Sequence, residues 1–360
     1  MKFNKFALSE LATIKYGKNQ KKVLSEGGNI PIYGTGGLMG YATTALYDKP
    51  SVLIGRKGTI GKVKYVEHPF WTVDTLFYTI VNTDIVLPKY LYYVMSLMDL
   101  NNYNEGTTIP SLRTETLNRL EFDIPSLVEQ ETILSCLNPI DEKNALNNAI
   151  NNNLEQQAQA IFKSWFIDFE PFSNRKPSDW SLSTLGNVSI MGAGGDKPQN
   201  VSPIKTDLYE YPIYSNGLSN EGLYGFTDKP KISEESVTVS ARGTIGFVCL
   251  RHIPYVPIVR LVTLIPKTEI VSAKYLYLWL KQLHITGTGT TQQQLTVPDF
   301  QKTEILVPSQ KIVTLFTATV EPIFEKIWAN QNENEKLSSL RDTLLPKLMS
   351  GELDVSDIDL

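Results

Sequence analysis

Two short loops set chemistry-bearing residues at matched positions. Lys57-Gly58-Thr59 and Arg242-Gly243-Thr244 each place a cation beside a glycine and a hydroxyl. The glycine lets a backbone approach closely, while the cation and hydroxyl donate to oxygens, which suits contact with phosphates or base edges. A hairpin turn that needs glycine, with an incidental cation, is the plainer alternative. Gly106-Thr107-Thr108 and Gly289-Thr290-Thr291 form a second matched pair. Ile109-Pro110-Ser111 follows in the first and Gln292-Gln293-Gln294 in the second, before a common Leu112 and Leu295. Gln pairs bidentately with adenine, so a constant frame with changed polar tips suits two readers of different bases. A loop that only caps the fold is the competing reading. Lys15, Lys18, Lys21 and Lys22, with Asn19 and Gln20 between, make a basic loop suited to phosphates or merely to solvent. Tyr33, Thr35, Ser215 and Asn216, beside matched Pro-Ile-Tyr segments, complete the polar candidates.

Catalytic chemistry has no comparable signature. No GxGxxG or GxxxxGK[ST] opens a helix, and neither HExxH nor GxSxG occurs. Gly34 to Gly40 contains Gly-Thr-Gly-Gly-Leu-Met-Gly, but it follows no buried strand and starts no helix, so a nucleotide loop is disfavoured. Asp141-Glu142-Lys143 matches a nuclease site only in composition, since the pattern places it in a helix. His68, His252 and His284 are scattered, and Cys136 and Cys249 stand far apart, which argues against a zinc site and fits a reduced cytoplasm.

The elements that hold these loops are written twice. Pro31-Ile32-Tyr33 returns as Pro212-Ile213-Tyr214, Asp48-Lys49-Pro50 as Asp228-Lys229-Pro230, and Lys89-Tyr90-Leu91-Tyr92 as Lys274-Tyr275-Leu276-Tyr277. From the Gly-Thr-Thr loops onward an offset of 183 holds without a gap: Pro125 on Pro308, Pro139 on Pro322, Leu154 on Leu337. Such self-similarity marks a duplication. The boundaries read as 1–125 and 173–308 for two globular domains, with 126–172 and 309–360 helical.

The globular parts read as strand-rich, with short β-branched runs such as Ser51 to Ile54 between turn residues, and one apolar helix each, near Tyr90 to Leu100 and Lys274 to Leu283. After Pro125 the pattern predicts a short helix, a break at Pro139, then a long helix, and the same around Pro322. Ser126 with Glu129 forms a capping-box pattern, and Ser309 takes the same place. Ile150, Leu154, Ala158, Ile161 and Trp165 make one apolar stripe. Ile323, Ile327, Leu337, Leu344 and Leu348 keep heptad phase, with Asn330, Asn334 and Arg341 at polar seam positions. Two helices with matched stripes bury them most simply on each other, antiparallel. From Ile140 to Ile167 such a helix would run roughly 42 Å, a little more than one DNA turn of about 34–36 Å. The fold class expected is α+β: two pseudo-repeated strand-rich domains separated by two long antiparallel, coiled-coil-like helices.

Composition allows a nucleic-acid partner despite a formal net charge of −4. Residues 1–64 carry eleven Lys or Arg against three acids, whereas 121–170 carry two Lys against nine acids. A local basic face is what phosphate binding needs, and acids beyond a Debye length do not cancel it. An unevenly charged but merely solvated surface is the alternative. No apolar stretch is long enough to span a membrane, so a cytoplasmic protein with no membrane association is expected.

At this point the residues resemble the specificity (S) subunit of Type I restriction-modification systems, over essentially the whole chain. Ile161-Phe162-Lys163-Ser164-Trp165-Phe166-Ile167-Asp168-Phe169-Glu170-Pro171-Phe172 looks like that family's central conserved region. Leu340-Arg341-Asp342-Thr343-Leu344-Leu345-Pro346-Lys347-Leu348-Met349-Ser350-Gly351-Glu352-Leu353 looks like its C-terminal one. The resemblance implies two target-recognition domains, each reading one half of a split asymmetric site in double-stranded DNA, and helices that set the gap. It implies that the helices dock two methyltransferase (M) subunits, with restriction (R) subunits joining, and that S-adenosylmethionine, ATP and Mg belong to those partners and no cofactor to this chain. Trp165, Phe166, Phe169, Leu344 and Leu348 are the partner-binding candidates, with burial in the chain's own core as the alternative. An enzyme with an unfamiliar site, and a duplicated helical scaffold binding protein or glycan without DNA specificity, are the rival readings.

Overall fold

One ladder of strands is built twice. The computed structural model describes residues 1–287 and 293–355. They fall into two units, Met1–Asn147 with Asn332–Leu360, and Asn148–Gln331. Each long helix therefore contributes to both units.

In the first unit a four-stranded antiparallel sheet runs in the order Ala12–Tyr16, Leu76–Val81, Ser51–Gly55, Val63–Val66. A second sheet joins Gly37–Ala42, Ile30–Gly34 and Trp71–Thr72, and a third pairs Asn4–Ala7 with Glu121–Ile124. The second unit repeats all three: Ser189–Ala193, Val262–Pro266, Ser236–Val239 and Val248–Arg251; Leu223–Thr227, Tyr211–Tyr214 and Val256–Pro257; Ser181–Thr184 with Glu304–Val307. Even the β-bulge is duplicated, at Ile32/Tyr33 and at Ile213/Tyr214.

The run Val52-Leu53-Ile54 is apolar at every position because its strand is buried on both faces. Val52 and Ile54 join the main core with helix residues Tyr90, Leu91 and Met95, while Leu53 faces Tyr33, Phe70 and Tyr78. This is the period-two alternation of a strand between two cores. The helices that cover the sheets are Pro88–Ser96 and Ala273–Gln282. In the latter, Ser272 caps the helix by accepting the Tyr275 N–H at 3.2 Å.

The two long helices are Leu127–Phe166 and Gln310–Ser350. The capping box is present: Glu129 Oε2 accepts the Ser126 N–H at 2.9 Å, and Ser126 Oγ accepts that of Glu129 at 3.4 Å. The expected breaks at Pro139 and Pro322 do not occur, and both prolines lie inside continuous helix. A proline removes one helical donor and crowds one preceding carbonyl. Here the burial of Ile133, Leu134, Leu137 and Ile140 around the first, and of Phe316, Val320 and Phe324 around the second, outweighs that loss.

Within each unit the helix segments run antiparallel. In the first, Asn147 Nδ2 donates to Asn334 Oδ1 at 2.9 Å and to Glu333 Oε2 at 2.8 Å, Lys143 pairs with Glu333, and Asp141 pairs with Arg341. In the second, Asn330 Nδ2 donates to Asn151 Oδ1 at 2.8 Å. The repeat offset of 183 carries 147 to 330 and 151 to 334, so one asparagine pair is the repeat image of the other. The apolar stripe differs from expectation. Its deepest line is Ala158, Phe162 and Phe166, whereas Ile161 and Trp165 are only half-buried.

Candidate nucleic-acid interface

In the first unit, backbone hydrogen bonds tie five loop segments into one cluster. Lys18 N donates to Thr72 O at 2.8 Å, and Trp71 Nε1 donates to Lys18 O at 2.8 Å. Val73 N reaches Tyr33 O at 3.0 Å, and Arg56 N reaches Thr75 O at 2.8 Å. Gly58 N donates to Pro110 O at 2.9 Å, Leu112 N to Arg56 O at 3.0 Å, and Lys57 bridges Ser111. The basic loop, the tip at Thr35, the Lys57-Gly58-Thr59 loop and the Gly-Thr-Thr loop therefore share one frame. Asn104 closes the last of these, its Oδ1 accepting the N–H groups of Gly106 and Ser111, both at 2.9 Å. A Cβ on Gly106 would lie 1.9 Å from Ile109 O, so only glycine permits this closure.

On that frame Lys18, Lys21, Lys22, Lys57, Thr59, Thr107 and Thr108 are exposed, and Thr35 and Ser111 half-buried. None of the four lysines takes part in an ion pair among the described residues. Tyr33 is different. It is 8 % exposed, its ring lies in the core with Leu53 and Phe70, and Lys64 Nζ sits 3.9 Å from its centroid. Burial raises the Tyr33 hydroxyl above its ordinary pKa and lowers the Lys64 ammonium. Tyr33 thus packs in the core of its unit, at the bulge that both repeats share.

The second unit rebuilds the frame with other side chains. Asn216 Oδ1 accepts the Ala241 N–H at 2.7 Å, and its Nδ2 donates to Val259 O at 2.6 Å. Leu295 N donates to Ala241 O at 3.0 Å, and Arg260 N to Gly194 O at 3.0 Å. Asn216 is consequently a joint between three loops, with its amide engaged on both sides, rather than a free reader. Gln294 Oε1 accepts from Arg242 Nη2 at 2.9 Å, so these two candidates brace each other. The Thr244 hydroxyl oxygen is buried without a hydrogen-bond partner among the described residues, which withdraws it from direct contact. Arg242 and Gln293 are exposed and Ser215 is half-buried. Thr290, Thr291 and Gln292 lie outside the described residues.

Self-comparison overlooked Arg56. Its guanidinium lies 5.1 Å from the Tyr16 ring, and its Nη1 donates to Asp74 O at 2.7 Å. Ala241 takes its place in the repeat, so a search for shared residues passes over it. The same holds for Lys197, 5.8 Å from the Tyr224 ring, and for exposed Arg260.

The partner-binding candidates divide. Phe166 is 1 % exposed among the rings of Phe162, Tyr275 and Phe316, and Leu348 is equally a core residue with Leu345 and Met349. Both are packing residues of their own units, because each lies on the inward line of its helix. Trp165, Phe169 and Leu344 are half-buried.

The Gly34–Gly40 segment is the turn and return strand of a hairpin. Asp141 accepts from the Tyr93 hydroxyl and pairs with Lys89 and Arg341, a structural junction. Among the described residues no His, Cys, Asp and Glu grouping could hold a metal ion, and no helix is long and apolar enough to cross a membrane.

Comparison with known proteins agrees with this frame. The Type I restriction modification DNA specificity domain family matches residues 1–156 and again 177–338. The chain is 27 % identical to the Type I restriction enzyme MjaIX specificity subunit of Methanocaldococcus jannaschii, across 87 % of this chain and 80 % of that protein. It is also 27 % identical to the HindI specificity subunit of Haemophilus influenzae, across 81 % and 84 %. The crystal structure of an S subunit from M. genitalium superposes with a TM-score of 0.57 at 18 % identity, covering 97 % of this chain and 96 % of that one, which shows a shared fold. On a duplicated frame, a family match over both repeats places the chain in the Type I restriction-modification DNA specificity family, as a DNA sequence-recognition subunit.

Proposed function

We propose that each recognition domain reads one half of a bipartite, asymmetric site in double-stranded DNA, while the long helices set the spacing between the halves. The observation that carries this reading is one loop frame bearing two chemistries. Lys57 beside Ser111 in the first domain stands where Arg242 beside Gln294 stands in the second. An ammonium is a point charge suited to phosphate, whereas a guanidinium braced by a glutamine oxygen suits the O6 and N7 of guanine. The exposed Gln293 adds an adenine-compatible amide. Backbone phosphates are engaged by Lys18, Lys21 and Lys22.

The helices dock two methyltransferase subunits, and restriction subunits join that assembly. Exposed Leu146 and Leu340, with half-buried Trp165, Phe169 and Leu344, offer apolar contact for those partners. The chain contributes recognition and no catalytic step; S-adenosylmethionine, ATP and Mg act on the partner subunits. Methylation mapped across the genome of cells expressing the chain with its methyltransferase tests the reading. A bipartite adenine motif is expected, and replacing residues 173–308 should change one half only. A motif that changes in both halves, or DNA affinity without steep salt dependence, would refute it.

A further inference from the structure

The loops of the two recognition domains differ in backbone strain. Among the described residues, the first domain has no residue other than glycine in the left-handed region. Beyond Ser173 and Asn174 at its entry, the second has four: Asn220 at φ 47, Glu221 at φ 53, Val259 at φ 52 and Arg260 at φ 64. Such conformations persist only where the surroundings impose them. Both pairs adjoin the candidate reading loop. Ser215 N donates to Gly222 O at 2.8 Å, directly after the first pair, and Asn216 Nδ2 donates to the carbonyl of Val259 in the second. Gly222, at φ 84, completes a run of three left-handed residues, and a Cβ there would lie 2.3 Å from Ser215 O.

One side chain imposes the first pair. Arg251 is 3 % exposed, at the end of the strand Val248–Arg251. Its Nη1 donates to Glu221 Oε2 at 2.9 Å, its Nη2 to Glu221 O at 2.7 Å, and its Nε to Thr238 Oγ1 at 3.0 Å. The guanidinium carbon also lies 3.6 Å from the Tyr214 ring centroid, immediately before Ser215. A planar fork thus holds a side chain and a main-chain carbonyl of the same strained residue while stacking beneath the loop that residue supports. In the first domain the corresponding tyrosine is covered by Lys64, a single-point ammonium on another strand position, and the hairpin turns tightly between Gly34 and Gly37.

We infer that Arg251 is a positioning residue for sequence discrimination in the second domain: through Glu221 it holds the Asn220–Gly222 turn, and with it the Ser215 loop that Asn216 joins to its neighbours, in a preformed DNA-reading shape. The inference rests on the DNA-reading function proposed above. Preformed groups lose less freedom on binding and tolerate misplaced bases less well, so the clamp acts on the preference between bases rather than on overall affinity.

The test uses the full chain in its assembled complex, with sites selected from randomised duplexes. Glu221→Ala removes the half-exposed carboxylate while leaving Arg251 two acceptors. Arg251→Lys keeps the charge and loses the fork. Asn220→Gly relaxes a left-handed residue without touching the clamp. Both clamp variants should lose about tenfold in base preference within the second half of the motif, with the first half unchanged. Asn220→Gly should keep both halves sharp and melt no lower than the parent. A merely structural role would lower the melting temperature but leave both halves sharp, and that result overturns the inference. Glu221→Ala decides the matter if Arg251→Lys fails to fold. If the parent chain selects no bipartite motif, the DNA-reading function falls and this inference with it.

Discussion

Replacing Phe166 with alanine separates two roles that its sequence motif leaves open. The ring centroid lies 4.8 Å from that of Tyr275 at 90°, 4.9 Å from Phe316 at 81°, 5.1 Å from Phe162 and 5.5 Å from Trp180. Truncating a buried Phe costs about 3–5 kcal/mol. Four neighbouring rings, each pair contributing about 0.5–1.5 kcal/mol beyond area burial, place this site at the upper end. For a unit spanning Asn148–Gln331, each kcal/mol lowers the melting temperature by about 2–4 °C, so a fall of about 10–20 °C is expected for a loss of about 5 kcal/mol. Hydrogen exchange followed by mass spectrometry reports the two units separately. Protection should drop across residues 148–331 and persist in 1–147. If Phe166→Ala melts like the parent and instead fails to bind the proposed methyltransferase subunit, the packing argument is wrong and the residue belongs to a docking surface.

Other consequences are open to simpler measurement. Lys57→Ala should weaken binding to specific and non-specific duplexes alike and reduce the slope of log affinity against log salt by about 1; an unchanged slope would remove Lys57 from the phosphate contacts. Asn330→Leu alone leaves Asn151 without its donor and should destabilise by about 1–3 kcal/mol. Asn151→Leu with Asn330→Leu should recover that loss in urea titrations, and additive costs would show that the pair is not coupled. His252 stacks on Trp328 at 4.1 Å, and burial, with Lys274 and Arg251 nearby, pushes its imidazole down to about 4. The unfolded chain takes up that proton near 6.5 while the folded one resists, so stability should fall as pH drops from about 6.5 to 4. His252→Gln should flatten this dependence in denaturant midpoints at pH 7 and 5, and an equal slope would assign the effect elsewhere.

The sequence discloses a residue's role according to whether the signal is periodic, shared or singular. Heptad phase picked out Asn330, Asn334 and Arg341, because a seam position repeats along a helix and shows itself in spacing. The same reasoning missed Phe162, since a stripe drawn from Ile150 drifts onto Ile161 and Trp165 while the packed line turns inward by one residue. Pro139 reads as a breaker because its missing N–H is visible in the sequence, whereas the tertiary burial that outweighs it is not. Among the loops, repetition marked the frame and could not tell joints from tips. Tyr33 and Asn216 recur or align because they hold loops together, while Arg56 and Arg251 have no counterpart and so left no trace. Residues that make the two domains differ are the ones a comparison between the domains discards.

The asparagine pairs carry a consequence for how such a chain changes over generations. Asn147 with Asn334, and Asn151 with Asn330, use one repeated Asn-x-x-x-Asn spacing on both helices. Each helix therefore presents to the other the same code that it receives. All four amides lie outside residues 173–308, so a genetic exchange of that segment leaves the code intact. Inheritance can then revise the second domain without disturbing either asparagine pair.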